Sequence, residues 1–317
     1  MTKKDLISDG KLQEIVLYYL NHGIKETATN FNLAPATLER YIRCAKQKGF
    51  LTKHLQKTTK IIESVGINSI KSLEKGIQPV KNTAKYSFDG KTIKFGAMGD
   101  LHLGSIYTEP TDVINALAYM KKEKCQFITI GGDVTEGMSH RAGHIYECSH
   151  LGYSRQKAHA VEVLSHFDLK MYMIDGNHDR WFIKSNGALI VPDICESLPN
   201  AEFLGHDEGD IIIDGVKIRL WHGEDGSSYA HSYRLQKLVE SFTGGDKPDV
   251  LLAGHVHKSL SCFDRHVHCI STGAMQKQSK WMRSKRLPSH TGFWIIEMTI
   301  NKLGVGRLKT EWFPLYN

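Results

Sequence analysis

Apolar positions along this chain recur with two different periods, and the change of period divides it. In residues 1–50, Leu12, Ile15, Val16, Tyr19 and Leu20 fall at helical spacing and predict an amphipathic helix. Asn21-His22-Gly23 ends it, with Gly23 suited to a left-handed cap. A short second helix runs over 24–31. Asn32-Leu33-Ala34-Pro35 reads as a tight turn, and Pro35 opens a third helix that extends to about Lys48 and stops at Gly49. Residues 51–84 are lysine-rich with weak periodicity and read as a basic linker, with one short helix around 57–64. Phe88-Asp89-Gly90-Lys91 marks a hairpin turn.

Beyond that turn the period changes. Apolar runs at 95–98, 127–130 and 171–174 read as buried strands, and helical stretches at 111–122 and 153–167 alternate with them. This is an α/β pattern with parallel pairing. After residue 205 short strands follow at 210–213, 217–221, 250–252, 260–263, 268–271 and 293–299, interrupted by one helix over 230–242. The whole predicts an α/β fold: a two-sheet sandwich flanked by helices, preceded by a small all-α domain. The expected organisation is 1–50 helical domain, 51–84 basic linker and 85–317 main domain.

Bulk properties narrow the setting. The hydrophobic fraction of 41% supports a substantial core. No apolar run approaches the roughly 20 residues needed to span a bilayer, and Met1-Thr2-Lys3-Lys4-Asp5 leads into no signal-peptide stretch. A soluble cytoplasmic protein is expected. The six cysteines include no Cys-x-x-Cys pair and read as free thiols. Net charge is +7, unevenly spread: residues 1–85 hold 15 Lys+Arg against 7 Asp+Glu, and the remainder 26 against 27. The basic excess lies in the N-terminal part, which fits a phosphate-bearing partner, nucleic acid and DNA first, as well as it fits a solvated tether.

The N-terminal helices are similar to a helix-turn-helix module. Ala28 permits close helix approach, and Asn32 can take positive φ at the turn. Leu33, Leu38, Tyr41 and Ile42 would fill a small core. Thr37, Arg40, Arg43 and Lys46 would then face a DNA groove. A three-helix protein-interaction module is the competing reading.

Candidate chemistry sits in five segments: Gly99-Asp100-Leu101-His102, Gly132-Asp133, Gly176-Asn177-His178-Asp179, His222-Gly223 and Gly254-His255-Val256-His257. The first three follow the predicted buried strands. Carboxylate, imidazole and amide oxygen without thiolate suit hard or borderline divalent ions. Two such ions need a shared anionic ligand, and Asp133 is the natural candidate. The adjacent glycines let backbone approach a crowded ionic centre.

Taken in order, these segments resemble the calcineurin-like metallophosphoesterase superfamily, over about residues 91–300. The resemblance implies that Asp100, His102 and His257 hold one metal, Asn177, His222 and His255 a second, and that Asp133 bridges them. It implies manganese, iron or zinc, with manganese first. It also implies phosphoester hydrolysis by a hydroxide held between the ions, with His178 protonating the leaving oxygen and Asp179 orienting His178.

Neighbouring residues bear on the substrate. Asp133-Val134-Thr135-Glu136-Gly137 lacks the arginine that protein phosphatases of the family carry there, and the third motif ends in Asp179 rather than Glu. Asp100-Leu101-His102-Leu103-Gly104 resembles the nuclease subunits of double-strand-break repair complexes. Residues 136–144 and 222–226 are closer to phage and prophage phosphoesterases. Arg180, Arg141 and His144 are candidate phosphate or substrate contacts. Residues 277–286 carry five positive charges, so Lys280 and Arg283 are candidates for a nucleic-acid path with Trp281 under a base. The expected activity is a metal-dependent phosphodiesterase acting on DNA or RNA. The alternatives are a nucleotide or cyclic-nucleotide phosphoesterase, and a DNA-binding regulator that uses the domain as a sensor. Assembly into a homo-oligomer is open.

Overall fold

A computed structural model of the chain describes residues 7–48, 83–87, 92–139, 141–224 and 228–316. The short helix expected at 57–64, the hairpin turn at 88–91 and the stop at Gly49 lie outside these residues. The chain divides into two compact units, Met1–Gln78 and Pro79–Asn317.

In the first unit, helix α1 (Asp9–Asn30) is broken at Gly23, whose φ of 75° and ψ of 177° are not helical. The break falls where the sequence placed a cap, so α1 is two helices that meet at a kink. Ser8 caps its start by accepting from the Lys11 amide. Helix α2 (Pro35–Gln47) follows a turn in which Asn32 has φ of 49°. Leu12, Val16 and Ala45 form the buried core with Leu38 and Ile15. Leu33, Tyr41 and Ile42 are half-buried. Leu20 departs from expectation: it lies at the margin of the apolar stripe and is exposed.

The second unit is a sandwich of two six-stranded sheets. It contains strands β1 (Thr83–Lys85), β2 (Thr92–Met98), β3 (Phe127–Gly131), β4 (Lys170–Asp175), β5 (Ala201–His206), β6 (Glu208–Ile213), β7 (Val216–Trp221), β8 (Val250–Ala253), β9 (Ser259–Asp264), β10 (Val267–Thr272), β11 (Gly292–Asn301) and β12 (Gly304–Pro314). One sheet has the order β12-β11-β2-β3-β4-β5, parallel from β2 to β5 and antiparallel at β11 and β12. The other has the order β1-β6-β7-β8-β10-β9. Thr83 and Ala84, read as the end of the linker, belong to β1, where buried Ala84 pairs with Ile211.

Side chains alternate between two cores because the central strands are buried on both faces. Phe95, Phe127, Tyr172 and Ile174 meet Ile211, Ile218, Leu220 and Leu252 between the sheets. On the outer face Met98, Ile128, Ile130, Met171 and Met173 pack with residues of helices α3 (Pro110–Lys122), α4 (Tyr153–Ser165) and α6 (Ile190–Glu196). Helix α5 (Trp181–Asn186) follows β4. The second sheet is covered by helix α7 (His231–Ser241) through Leu235 and Val239. Helix α8 (Lys280–Ser284) lies between β10 and β11. Among the described residues no helix is long and apolar enough to cross a membrane.

Candidate metal centre

The site lies where five strands end. Asp100 and His102 follow β2, Asp133 follows β3, Asn177 and His178 follow β4, His222 follows β7, and His255 and His257 follow β8. Both sheets therefore contribute, at their carboxyl edges. The loops after β2 and β3 run side by side: the amides of Asp100, His102 and Leu103 donate to the carbonyls of Gly132, Asp133 and Val134. Leu101, Leu103 and Val134 anchor these loops in the core.

The backbone is strained at the site. Asp100, His102, Asp133, His255 and His257 have φ of 51, 48, 46, 77 and 52°. Such residues cost about 1–3 kcal/mol each and persist only where surrounding structure holds them. Glycine supplies the remaining room. A Cβ at Gly176 would stand 2.2 Å from Asp133 Oδ1 and 2.7 Å from His222 Cε1.

The donor atoms converge. His102 Nε2 is 3.1 Å from His257 Nε2, which is 3.5 Å from Asp100 Oδ1. His222 Nε2 is 3.2 Å from Asp133 Oδ2 and 3.1 Å from Asn177 Oδ1. That amide oxygen is 2.9 Å from His255 Nδ1. Asp133 Oδ2 also lies 3.7 Å from His102 Nε2, so one carboxylate reaches both sets.

Protein alone satisfies this arrangement poorly. His102 Nδ1 donates to Glu136 Oε2 at 2.9 Å, so the Nε2 of a neutral ring turns a lone pair toward His257. His222 Nδ1 donates to Gly131 O at 2.8 Å, so its Nε2 lone pair meets the oxygens of Asn177 and Asp133. Among the described residues His257 Nδ1 is buried without a hydrogen-bond partner. The electrostatics of the cluster make the same demand for positive charge. Burial opposes an imidazolium, yet Glu136 and Asp133 push His102 up to about 9. Asp133 and Asp100 likewise push His222 up to about 10 against its burial. Lone pairs and carboxylates facing one another fit divalent cations with mixed nitrogen and oxygen ligands.

His178 stands beside this cluster. Its amide donates to Asp133 Oδ1 at 2.8 Å, and its Nδ1 donates to the Glu136 carbonyl at 2.7 Å. Burial lowers its pKa to about 4, despite the nearby Asp133. Asp179 does something other than orient that ring. Its carboxylate accepts from the amides of Val134, Thr135 and Gly176 and from the Thr135 hydroxyl, tying the loops after β3 and β4 together. The ring is oriented by the Glu136 carbonyl instead. Burial and the Asp133 charge push Asp179 up to about 7.

Other expected substrate contacts divide. Arg180 is an internal ion-pair centre, reaching Asp175 at 3.0 Å and Asp207 and Glu224 at 2.8 Å; three carboxylates occupy its guanidinium. His144 is buried and donates from Nε2 to Glu136 Oε1, so it braces Glu136. Arg141 and Trp281 do line the cavity of about 410 Å³ over the candidate metal ligands, with His178, Trp181, Ser279 and Leu287. Lys280 and Arg283 are exposed on α8 and take no part in that lining. Thr37, Arg40, Arg43 and Lys46 belong to the first unit, where Arg40, Arg43 and Lys46 are exposed on α2 and Thr37 is half-buried.

Sequence reasoning gave no role to four residues. Glu136 receives hydrogen bonds from His102, His144 and Gln276. Those from the two histidines pull its carboxyl down to about 2, overcoming burial. Gln276 also reaches Ser105. Trp181 lies with its ring centroid 3.9 Å from that of His178. Arg234, on α7, donates to the carbonyls of His222 and Gly254 and so pins the two ligand loops of the second sheet. The carboxylate three residues after Asp133 was the visible signal for Glu136.

A protein-family model described as calcineurin-like phosphoesterase matches residues 93–259. A DNA polymerase II small subunit from Methanothermobacter thermautotrophicus is 23% identical over 193 residues, 50% of this chain and 40% of that subunit. The matched region thus spans less than half of that relative. Among solved structures, an archaeal phosphodiesterase is similar with a TM-score of 0.40 and 16% identity, covering 70% of this chain and 100% of that one. Vps29 from Entamoeba histolytica, complexed with zinc, is similar with a TM-score of 0.37 and 14% identity, covering 70% and 99%.

Proposed function

The chain belongs to the calcineurin-like phosphoesterase family, and from that membership we propose that it is a two-metal phosphodiesterase whose substrate is DNA or RNA. The observation that carries this is the convergence of seven side chains from two sheets on two donor sets that share Asp133. Asp100, His102 and His257 would hold one cation, and Asn177, His222 and His255 the other. When bound, the cations would offset phosphate charge and activate water. Manganese is the first choice of metal, with iron or zinc as alternatives.

The chain's own groups supply the rest. His178 Nδ1 is committed to the Glu136 carbonyl, which leaves Nε2 to carry a proton to the leaving oxygen. Burial lowers the pKa of this ring, and a phosphate anion beside it shifts the value back upward, in the direction a general acid needs. Asp179 fixes the loop from which His178 projects. Support for a nucleic-acid substrate comes from the exposed Arg40, Arg43 and Lys46 on α2, the basic excess of residues 1–85 and the relative that is a DNA polymerase II subunit. We read the first unit as a helix-turn-helix-like module that binds duplex.

The test is a panel run on metal-loaded protein: bis-p-nitrophenyl phosphate, p-nitrophenyl phosphate, cyclic nucleotides, and single- and double-stranded DNA and RNA. Diester and polynucleotide cleavage is expected. His178→Ala should lower kcat by about 10²–10⁴-fold, the usual contribution of a general acid, with metal content retained. Turnover of mononucleotides or cyclic nucleotides alone would favour the second reading, a nucleotide phosphoesterase, which the ligand-sized cavity also accommodates.

A further inference from the structure

The cavity over the metal cluster has walls that the proposed hydrolysis leaves unused. Ser139, Arg141 and Glu147 come from the segment between β3 and α4, and Ser279, Trp281, Met282 and Leu287 from the segment around α8. Trp281 is 40% exposed although its neighbour Met282 is buried. Its helix is fixed at the start by the Ser279 hydroxyl, which accepts from the Met282 amide. The Arg141 guanidinium carbon lies 4.9 Å from the Trp281 ring centroid. Its Nη2 is held at 2.5 Å by Glu147. An aromatic face and a tethered planar cation therefore meet at the wall of a cavity whose other end is the phosphate site.

We propose that Trp281 and Arg141 form a nucleobase subsite, in which the base next to the scissile phosphate stacks against the indole–guanidinium pair. This rests on the phosphodiesterase reading for its phosphate site. Every base has a π-face, so stacking recognises nucleotides without reading sequence. Both partners are already held, Trp281 by its helix and Arg141 by Glu147, so little ordering cost remains on binding. A cavity of about 410 Å³ is of ligand size and has room for one nucleoside beside the phosphate site.

Calorimetric titration tests this without turnover. Manganese-loaded and EDTA-treated protein would each be titrated with adenosine 5′-monophosphate and with ribose 5-phosphate, which lacks the base. The expected result is a preference of about tenfold or more for the nucleotide. Trp281→Ala should erase that preference, Trp281→Phe should keep most of it, and Arg141→Gln should reduce it. Equal affinity for the two probes, or a preference that survives Trp281→Ala, overturns the subsite. Loss of hydrolysis in the activity panel with this preference intact would instead count against the phosphodiesterase reading alone.

Discussion

Glu136 and Arg180 show how one residue's partners decide its role. Each is a charged side chain within three residues of an expected site residue, and each binds several groups. Glu136 is almost fully buried and spends its oxygens on His102 and His144, so it fixes the tautomer and direction of an expected ligand. Carboxylates that hold a ligating histidine this way typically govern metal affinity by about 10–100-fold. Glu136→Gln should therefore weaken manganese binding by that factor in calorimetry, with the fold intact by circular dichroism; an unchanged Kd would show that His102 needs no such support. Arg180 spends its guanidinium on Asp175, Asp207 and Glu224. Asp175 is buried, whereas the other two are about half exposed and contribute little. Arg180→Met should cost about 1–3 kcal/mol of stability through the carboxylate left buried and leave KM for a diester unmoved. A raised KM with unchanged denaturation midpoint would return Arg180 to the phosphate.

Whole elements were legible where burial was symmetric. Strands β2, β3 and β4 are covered on both faces, so each reads as an apolar run ending in Gly-Asp or Asp-Gly-Asn, and strand and site were found together. Strand β12 alternates exposed and half-buried positions such as Arg307, Lys309 and Glu311, and gives no such run. Helices α5 and α6 have six and seven residues, too few for a helical period to emerge. The same limit hid part of the site. Candidate Asp and His ligands announce themselves beside glycines, but Arg234 reaches the His222 carbonyl only because α7 folds back over eleven intervening positions, which no local pattern encodes. In the first unit, Gly23 and Asn32 were readable because a break and a positive φ need those residue types. What α2 binds is a separate question with its own measurement. If it binds DNA, Arg40→Ala and Arg43→Ala should each lower affinity for labelled duplex in fluorescence anisotropy. Each should also reduce the slope of log K against log salt by about 0.9, one phosphate contact apiece. Unchanged slopes would favour a protein partner.

At the scale of the molecule, the candidate metal centre lies between the two sheets at the edge where the apolar core between them ends. Phe95, Phe127 and Ile174 meet Ile218, Leu220 and Leu252 inside, but at the strand ends the facing groups are Asp100, Asp133, Asn177, His222 and His257. Cations that bind there bind only the folded arrangement, so their binding free energy adds to folding stability. At 100 times Kd each site contributes about 2.7 kcal/mol, which for a unit of this size corresponds to a rise in Tm of roughly 5–10 °C per site. The five tryptophans, Trp181, Trp221, Trp281, Trp294 and Trp312, all lie within Pro79–Asn317, so tryptophan fluorescence follows the melting of this unit alone. Manganese should raise that Tm, EDTA should reverse the rise, and Asp133→Asn should cut it sharply because both donor sets lose their shared carboxylate. A wild-type Tm indifferent to manganese, iron and zinc would mean that the converging histidines and carboxylates hold no cation, and the two-metal reading would fall with it.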